Sequence, residues 1–194
     1  MWQRIAVVYS VLLVCVFAAG VASAAKIPPL YHITVIPADA INGVIAAPSA
    51  SEPIPSSIEH ITIRNEANQP MPNVTVHLEL GTGTMTCPGQ SFNGVTDSEG
   101  RVDITVSGGG CISNRDDACM IWANGVMIRN YRNAKSPDFD GARGDGVVGL
   151  ADLVELWREK TGGGSCHDYD NDGDIDLSDI VVFSTAFSPG HRCP

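Results

Sequence analysis

Residues 168–179, "DYDNDGDIDLSD", hold six aspartates in twelve positions, and the chain runs directly from them into Ile180, Val181, Val182 and Phe183. Carboxylates crowded this closely repel one another and keep a segment open and solvated, whereas four successive large apolar residues seek a core. One segment meets both demands only if something positive neutralises the acids before the apolar residues dock. No other feature constrains the fold of the C-terminal third so strongly.

The spacing narrows the choice of cation. Counted from Asp168, side-chain oxygens fall at positions one, three and five (Asp168, Asp170, Asp172). Gly173 stands sixth, where the loop must turn sharply, Asp174 seventh with its backbone carbonyl, Ile175 eighth, Asp176 ninth and Asp179 twelfth. Calcium takes about six to eight hard oxygens, and a loop in this register wraps them around one ion. The register is that of an EF-hand, with Asp in place of the usual terminal Glu. Ile175 is expected to pin the loop to a twin, and metal binding and folding are expected to be one event.

The twin is visible. "DGVVGLADLVELWREKTG" at 145–162 aligns with "DGDIDLSDIVVFSTAFSPG" at 172–190, offset by 27 residues. Val148 matches Ile175, Leu150 matches Leu177, Asp152 matches Asp179, and Leu156 matches Phe183. After each terminal aspartate the apolar residues fall at helical spacing: Leu153, Leu156 and Trp157 in one stripe, Ile180, Phe183 and Phe187 in the other. Helices this short do not stand alone in water, so the two stripes are expected to pack face to face. A first set of ligands is Asp138, Asp140, Asp145, the carbonyl of Val147, and Asp152. Yet "GARG" at 141–144 occupies the place of one residue, Arg143 adds a positive charge, and Gly149 at position nine has no side chain to give. Calcium binding at this first loop, and binding that is weak or absent, are both open.

From residue 33 to about residue 131 the chain speaks in short β-type runs: "ITVIP", "ITIRN", "VTVHLEL", "RVDITV", "MIWA" and "VMIRNY". Several alternate apolar and polar residues, the period of a half-buried strand. "DSEG" at 97–100 links "GVT" to "RVDITV", and Asn124-Gly125 between two β runs is a strong hairpin signal, because both residues accept positive φ. Residues 46–57, rich in Pro, Ser and Ala, read as a surface loop or linker. The expected fold class is mainly β: a β-sandwich at 25–135, then a small α module of two loop–helix repeats at 136–194, each with its own core.

The stretch "ITIRNEANQPMPNVTVHLEL…GVTDSEGRVDITVSGGG" resembles the bacterial Ig-like domains of invasin type, which implies an Ig-like sandwich and leaves its function open. Residues 136–194, paired loop–helix units with aspartate at position twelve, resemble the dockerin type I module. That resemblance implies two calcium loops and an exposed helix face that binds a cohesin domain on a scaffold or cell surface. Positions ten and eleven, often small and polar in that family, are here Leu150 with Ala151 and Leu177 with Ser178.

The N-terminus reads as a signal peptide at 1–24. Arg4 precedes an apolar stretch at 5–22, and Ala22, Ser23 and Ala24 suit cleavage after Ala24. The stretch approaches the ~18 residues of a membrane span, so a retained anchor is the rival reading. Export passes through an oxidising space, where cysteines pair. Cys15 leaves with the leader, and Cys87, Cys111, Cys119, Cys166 and Cys193 remain. Cys166 with Cys193 would staple the tail to the second loop, and Cys87 with Cys111 is the expected second pair. Cys111 with Cys119 is its rival; otherwise Cys119 is left over.

The net charge of −10 argues against nucleic acid, which demands a basic patch. More than half of the 22 acids follow Pro137, so the charge belongs to the C-terminal region. No catalytic motif is present: His32, His60, His77, His167 and His191 are scattered, and "SGGGC" at 107–111 opens no helix that could cradle a phosphate. The expected protein is secreted, non-catalytic and calcium-binding, attached through its second module to a cohesin-like partner. The alternative is a structural or carbohydrate-binding module whose calcium loops only stabilise it. Carbohydrate binding would require exposed aromatics, and Trp122 and Tyr131 are among the few at hand.

Overall fold

A computed structural model describes residues 32–36, 43–49, 52–141, 143–187 and 190–194. The leader at 1–24 and its cleavage site lie outside these residues. The described chain is mainly β. Its strands are β1 (Ile33–Ile36), β2 (Gly43–Ile45), β3 (Ile58–Ile63), β4 (Thr75–Leu80), β5 (Thr84–Thr86), β6 (Asn93–Val95), β7 (Arg101–Thr105), β8 (Gly108–Gly110), β9 (Cys119–Ala123), β10 (Val126–Tyr131) and β11 (Asn133–Lys135). Two helices follow, α1 (Leu150–Gly162) and α2 (Leu177–Phe187).

β1, β3 and β7 form one antiparallel sheet, and β10, β9, β4 and β6 a second. Period-two alternation decides which faces meet. Val76 and Leu78 of β4 and Ile121 and Ala123 of β9 point inward against Ile61 and Ile63 of β3 and Ile104 of β7, so both sheets share one core. Asn124 and Gly125 turn β9 into β10 with φ of 48° and 79°, the hairpin the dipeptide predicts. The 97–100 turn does something else. Asp97 Oδ1 accepts the amides of Glu99 and Arg101, but β6 pairs with β4 while β7 pairs with β3, so the turn carries the chain between sheets instead of closing a hairpin.

Two smaller pairs build the junction with the helices. β2 lies parallel to β11, and β5 antiparallel to β8. Residues 46–57 are no linker where they are described. Ala46 and Ala47 are buried, and their amides donate to Lys135 O and Val106 O. Their small side chains let the segment thread between layers, which is why its composition read as surface.

The helices do not build their core alone. Leu156 of α1 and Phe183 and Ala186 of α2 pack in one cluster with Ile45, Ala47 and Ile54. The cluster is distinct from the core between the two sheets, but by taking in residues from before 136 it corrects the expectation that the helical module's core is wholly its own. It also corrects the first helical stripe: Leu156 is buried, but Trp157 is 62% exposed and Leu153 lies at the surface.

The disulfides follow the same geometry. Cys87 joins Cys193, and Cys111 joins Cys166. Neither expected pair forms. Cys87 lies opposite Ser107, whereas Cys111 follows Gly110 at the other end of the β5–β8 ladder. Four residues of strand separate them by roughly 13 Å, too far for a disulfide. Cys193 sits on a tail that pairs with the first loop, not the second: Val147 bridges to Arg192, and Cys193 N donates to Gly146 O. Cys119 is buried in β9, outside both bonds. No helix among the described residues is long and apolar enough to cross a membrane.

Candidate metal centre

The second loop is shaped by its backbone before its carboxylates are considered. Asn171 adopts φ of 58° and Gly173 φ of 104°, left-handed conformations that Asn tolerates and Gly favours, and they coil the chain so that alternate side chains face one point. Asp168, Asp170 and Asp172 thereby bring one carboxylate oxygen each within 4.8 Å of one another. Ile175, at position eight, is buried. Asp179, at position twelve, is fully buried and locks the ends of the loop: its Oδ1 accepts Tyr169 N at 2.5 Å and its Oδ2 accepts Asp176 N at 2.9 Å.

The remaining acids lie around this trio. Asp174 is exposed, and the charge of Asp172 leads in raising its pKa, with Asp176 adding to the effect. Asp176 is exposed and held low by the Ser178 hydroxyl and amide, both donating to Oδ1. The same hydroxyl donates to Asp170 Oδ2 in the second geometry it satisfies, 2.7 Å away. Among the described residues the cluster is therefore Asp168, Asp170 and Asp172, with Asp179 behind it and the side chains of Asp174 and Asp176 on the rim.

Asp168 is 6% exposed, and its Oδ1 has no hydrogen-bond partner. A desolvated carboxylate oxygen without a donor is costly, and a hard cation at that point would remove the cost. Three carboxylates in a coiled loop suit calcium in oxygen type and charge; zinc would want His or Cys, and the loop offers neither.

The first loop is arranged otherwise. Asp138 is fully buried, and both its oxygens are taken by backbone: Oδ1 accepts Asp145 N at 3.0 Å and Oδ2 accepts Gly146 N at 2.9 Å. Burial raises its pKa to about 7, against the lowering effect of those two amides. Asp152 Oδ2 accepts Gly149 N and caps α1, while its Oδ1 is buried with no partner. Burial raises Asp152 as well. Asp140 is exposed, Asp145 Oδ1 accepts Val147 N, and Val147 stands at the bridge to the tail. Among the described residues these five form no three-ligand group. Nor does Val148 meet Ile175 through the backbone; its amide donates to His191 O, so the tail occupies the first loop's flank.

Three residues gain a meaning that spacing did not assign. The buried triglycine of β8 makes room for Asp138, since a β-carbon on Gly109 would stand 2.1 Å from Asp138 Oδ2. His167, fully buried, pairs through Nδ1 with Glu159 Oε2 at 3.0 Å and stands against Phe139, Tyr169 and Phe183. Lys135, at the end of β11, reaches the second loop and donates to the carbonyl of Asp168. His167 beside Asp168 in sequence was a legible hint; Lys135, more than thirty positions away, was not. No known family model matches the chain, and no curated protein matches it.

Proposed function

We propose that this is an exported, non-catalytic calcium-binding protein in which an Ig-like sandwich carries a dockerin-like module. The observation that carries the calcium reading is the trio of Asp168, Asp170 and Asp172 oxygens within 4.8 Å, with the unpartnered Oδ1 of buried Asp168 among them. Asp179 would complete the site from position twelve. The two antiparallel sheets over a single core support the sandwich, and two disulfides agree with passage through an oxidising compartment.

The attachment reading rests on the surface of the helices. Leu150, Val154 and Trp157 form an exposed apolar stripe on α1, and Leu177 and Val181 repeat its first two positions on α2. A cohesin-like domain is the partner the resemblance implies. A second reading has an observation of its own: the core that α1 and α2 share with Ile45, Ala47 and Ile54 favours loops that stabilise the whole molecule.

Titration calorimetry tests the metal. Wild type is expected to take up calcium at the second loop, and Asp172→Ala to lose that site; equal uptake by both overturns the assignment. Pull-down by cohesin domains in calcium, lost in chelator and in Trp157→Ala, separates attachment from stabilisation.

A further inference from the structure

Resting on the calcium reading of the second loop, we propose that Lys135 is a fixed internal counter-cation of that loop: it holds Asp168 in place before the metal arrives and weakens calcium binding there. Lys135 is only 2% exposed, and an ammonium so deeply buried persists only with partners. Its Nζ donates to the main-chain carbonyl of Asp168 and stands 3.7 Å from Asp168 Oδ2. Oδ1 of the same carboxylate has no hydrogen-bond partner, and the residue belongs to the trio with Asp170 and Asp172. One carboxylate therefore faces two positive charges, one built into the sheet region and one brought from solution.

The consequences have opposite signs. Without metal the ammonium offsets the mutual repulsion of the aspartates and ties the start of the loop to β11, so the loop stays folded. With metal, the ammonium repels the incoming ion through a poorly screened interior and competes for Asp168. A second lysine reaches the loop from outside it and serves as a contrast. Lys160 of α1 donates to Ile175 O, but it is exposed, so water and salt screen it. Lys135 thus couples the β region to the affinity of the loop, and Lys160 does so only weakly.

Calorimetric calcium titrations of wild type, K135M, K135R and K160M test this. K135M is expected to bind calcium at least tenfold more tightly than wild type, K135R within threefold of it, and K160M within threefold at 0.15 M salt. Calcium-free K135M should also melt below wild type. A merely structural lysine gives the opposite sign, since its loss would loosen the loop and weaken calcium. Unchanged or weaker binding by K135M overturns the proposal, as does K135R binding as tightly as K135M. If K135M folds only with calcium, chelator-driven release from protein purified in calcium replaces the titration: release at least tenfold slower supports the proposal, and equal or faster release overturns it. A wild type that takes up no calcium overturns the calcium reading and this inference together, whereas a wild type that binds while K135M binds equally overturns this inference alone.

Discussion

Gly109 and Asp138 touch so closely that any β-carbon at 109 would overlap Asp138 Oδ2 at 2.1 Å, with the carboxyl carbon at 2.8 Å. The carboxylate is itself held by the Asp145 and Gly146 amides, so it has nowhere to retreat. Gly109→Ala is expected to destabilise the fold by about 2–3 kcal/mol. Gly162→Ala, at the end of α1 with open space around it, is expected to cost nothing. Urea midpoints of the two variants decide the point; equal midpoints would mean that β8 does not press on Asp138.

Asp138 also predicts a pH dependence. Its folded pKa of about 7 lies above the ordinary 3.8, so between those values the folded state binds the extra proton. Stability is then complete below about pH 4 as far as this group is concerned, and falls as pH rises through 7. Burial raises Asp152 and Asp179 too, which steepens the trend. In chelator, the urea midpoint is expected to be higher at pH 5 than at pH 8, with a difference in free energy on the order of 2–3 kcal/mol if Asp138 alone is counted. A midpoint that rises over that interval would contradict the sign.

Ile45, Ala47 and Ile54 in the helices' cluster, together with the two disulfides, tie the helices to the sheets, which are expected to unfold as one cooperative unit. In oxidised protein, melting followed by helical circular dichroism and by hydrogen exchange of β4 and β9 is expected to coincide. Non-reducing peptide maps should recover the pairs Cys87 with Cys193 and Cys111 with Cys166. Loop closure on this scale contributes roughly 4 kcal/mol per bond. Cys111→Ser with Cys166→Ser should therefore lower stability by that amount and weaken calcium uptake, since Cys166 stands two residues before Asp168. Separate helical and β transitions in the oxidised protein would count against that coupling.

Leu156 and Trp157 are neighbours with opposite roles. Leu156→Ala empties a buried position and is expected to cost about 2–5 kcal/mol, and Phe183→Ala about 3–5 kcal/mol. Trp157→Ala removes a mostly exposed ring and should change stability by less than about 0.5 kcal/mol. A large loss of stability in Trp157→Ala would show that the ring packs in solution and is no attachment surface.

What could be read from the chain and what could not divide along a physical line. Strand alternation and the loop register are local, so Val76 and Leu78 turned inward, and Asp168, Asp170 and Asp172 came together. The neighbours of those elements are set by non-local packing. Nothing in "AAPS" announces that Ala46 and Ala47 are buried, because small residues fit inside as readily as out. Nothing near Lys135 announces Asp168. The cysteine pairs differ from expectation for a related reason: distance along the sequence does not disclose that the tail at 190–194 returns to the first loop and carries Cys193 to β5.

The two disulfides are nested, the ring closed by Cys111 and Cys166 lying inside the ring closed by Cys87 and Cys193. Any single peptide-bond cleavage between residues 87 and 193 therefore leaves two fragments still covalently joined, by one bond if the cut falls outside the inner ring and by both if it falls within. Both acidic loops, both helices and strands β6 to β11 lie in that interval. A protease would have to cut this region at least twice to carry any of it away.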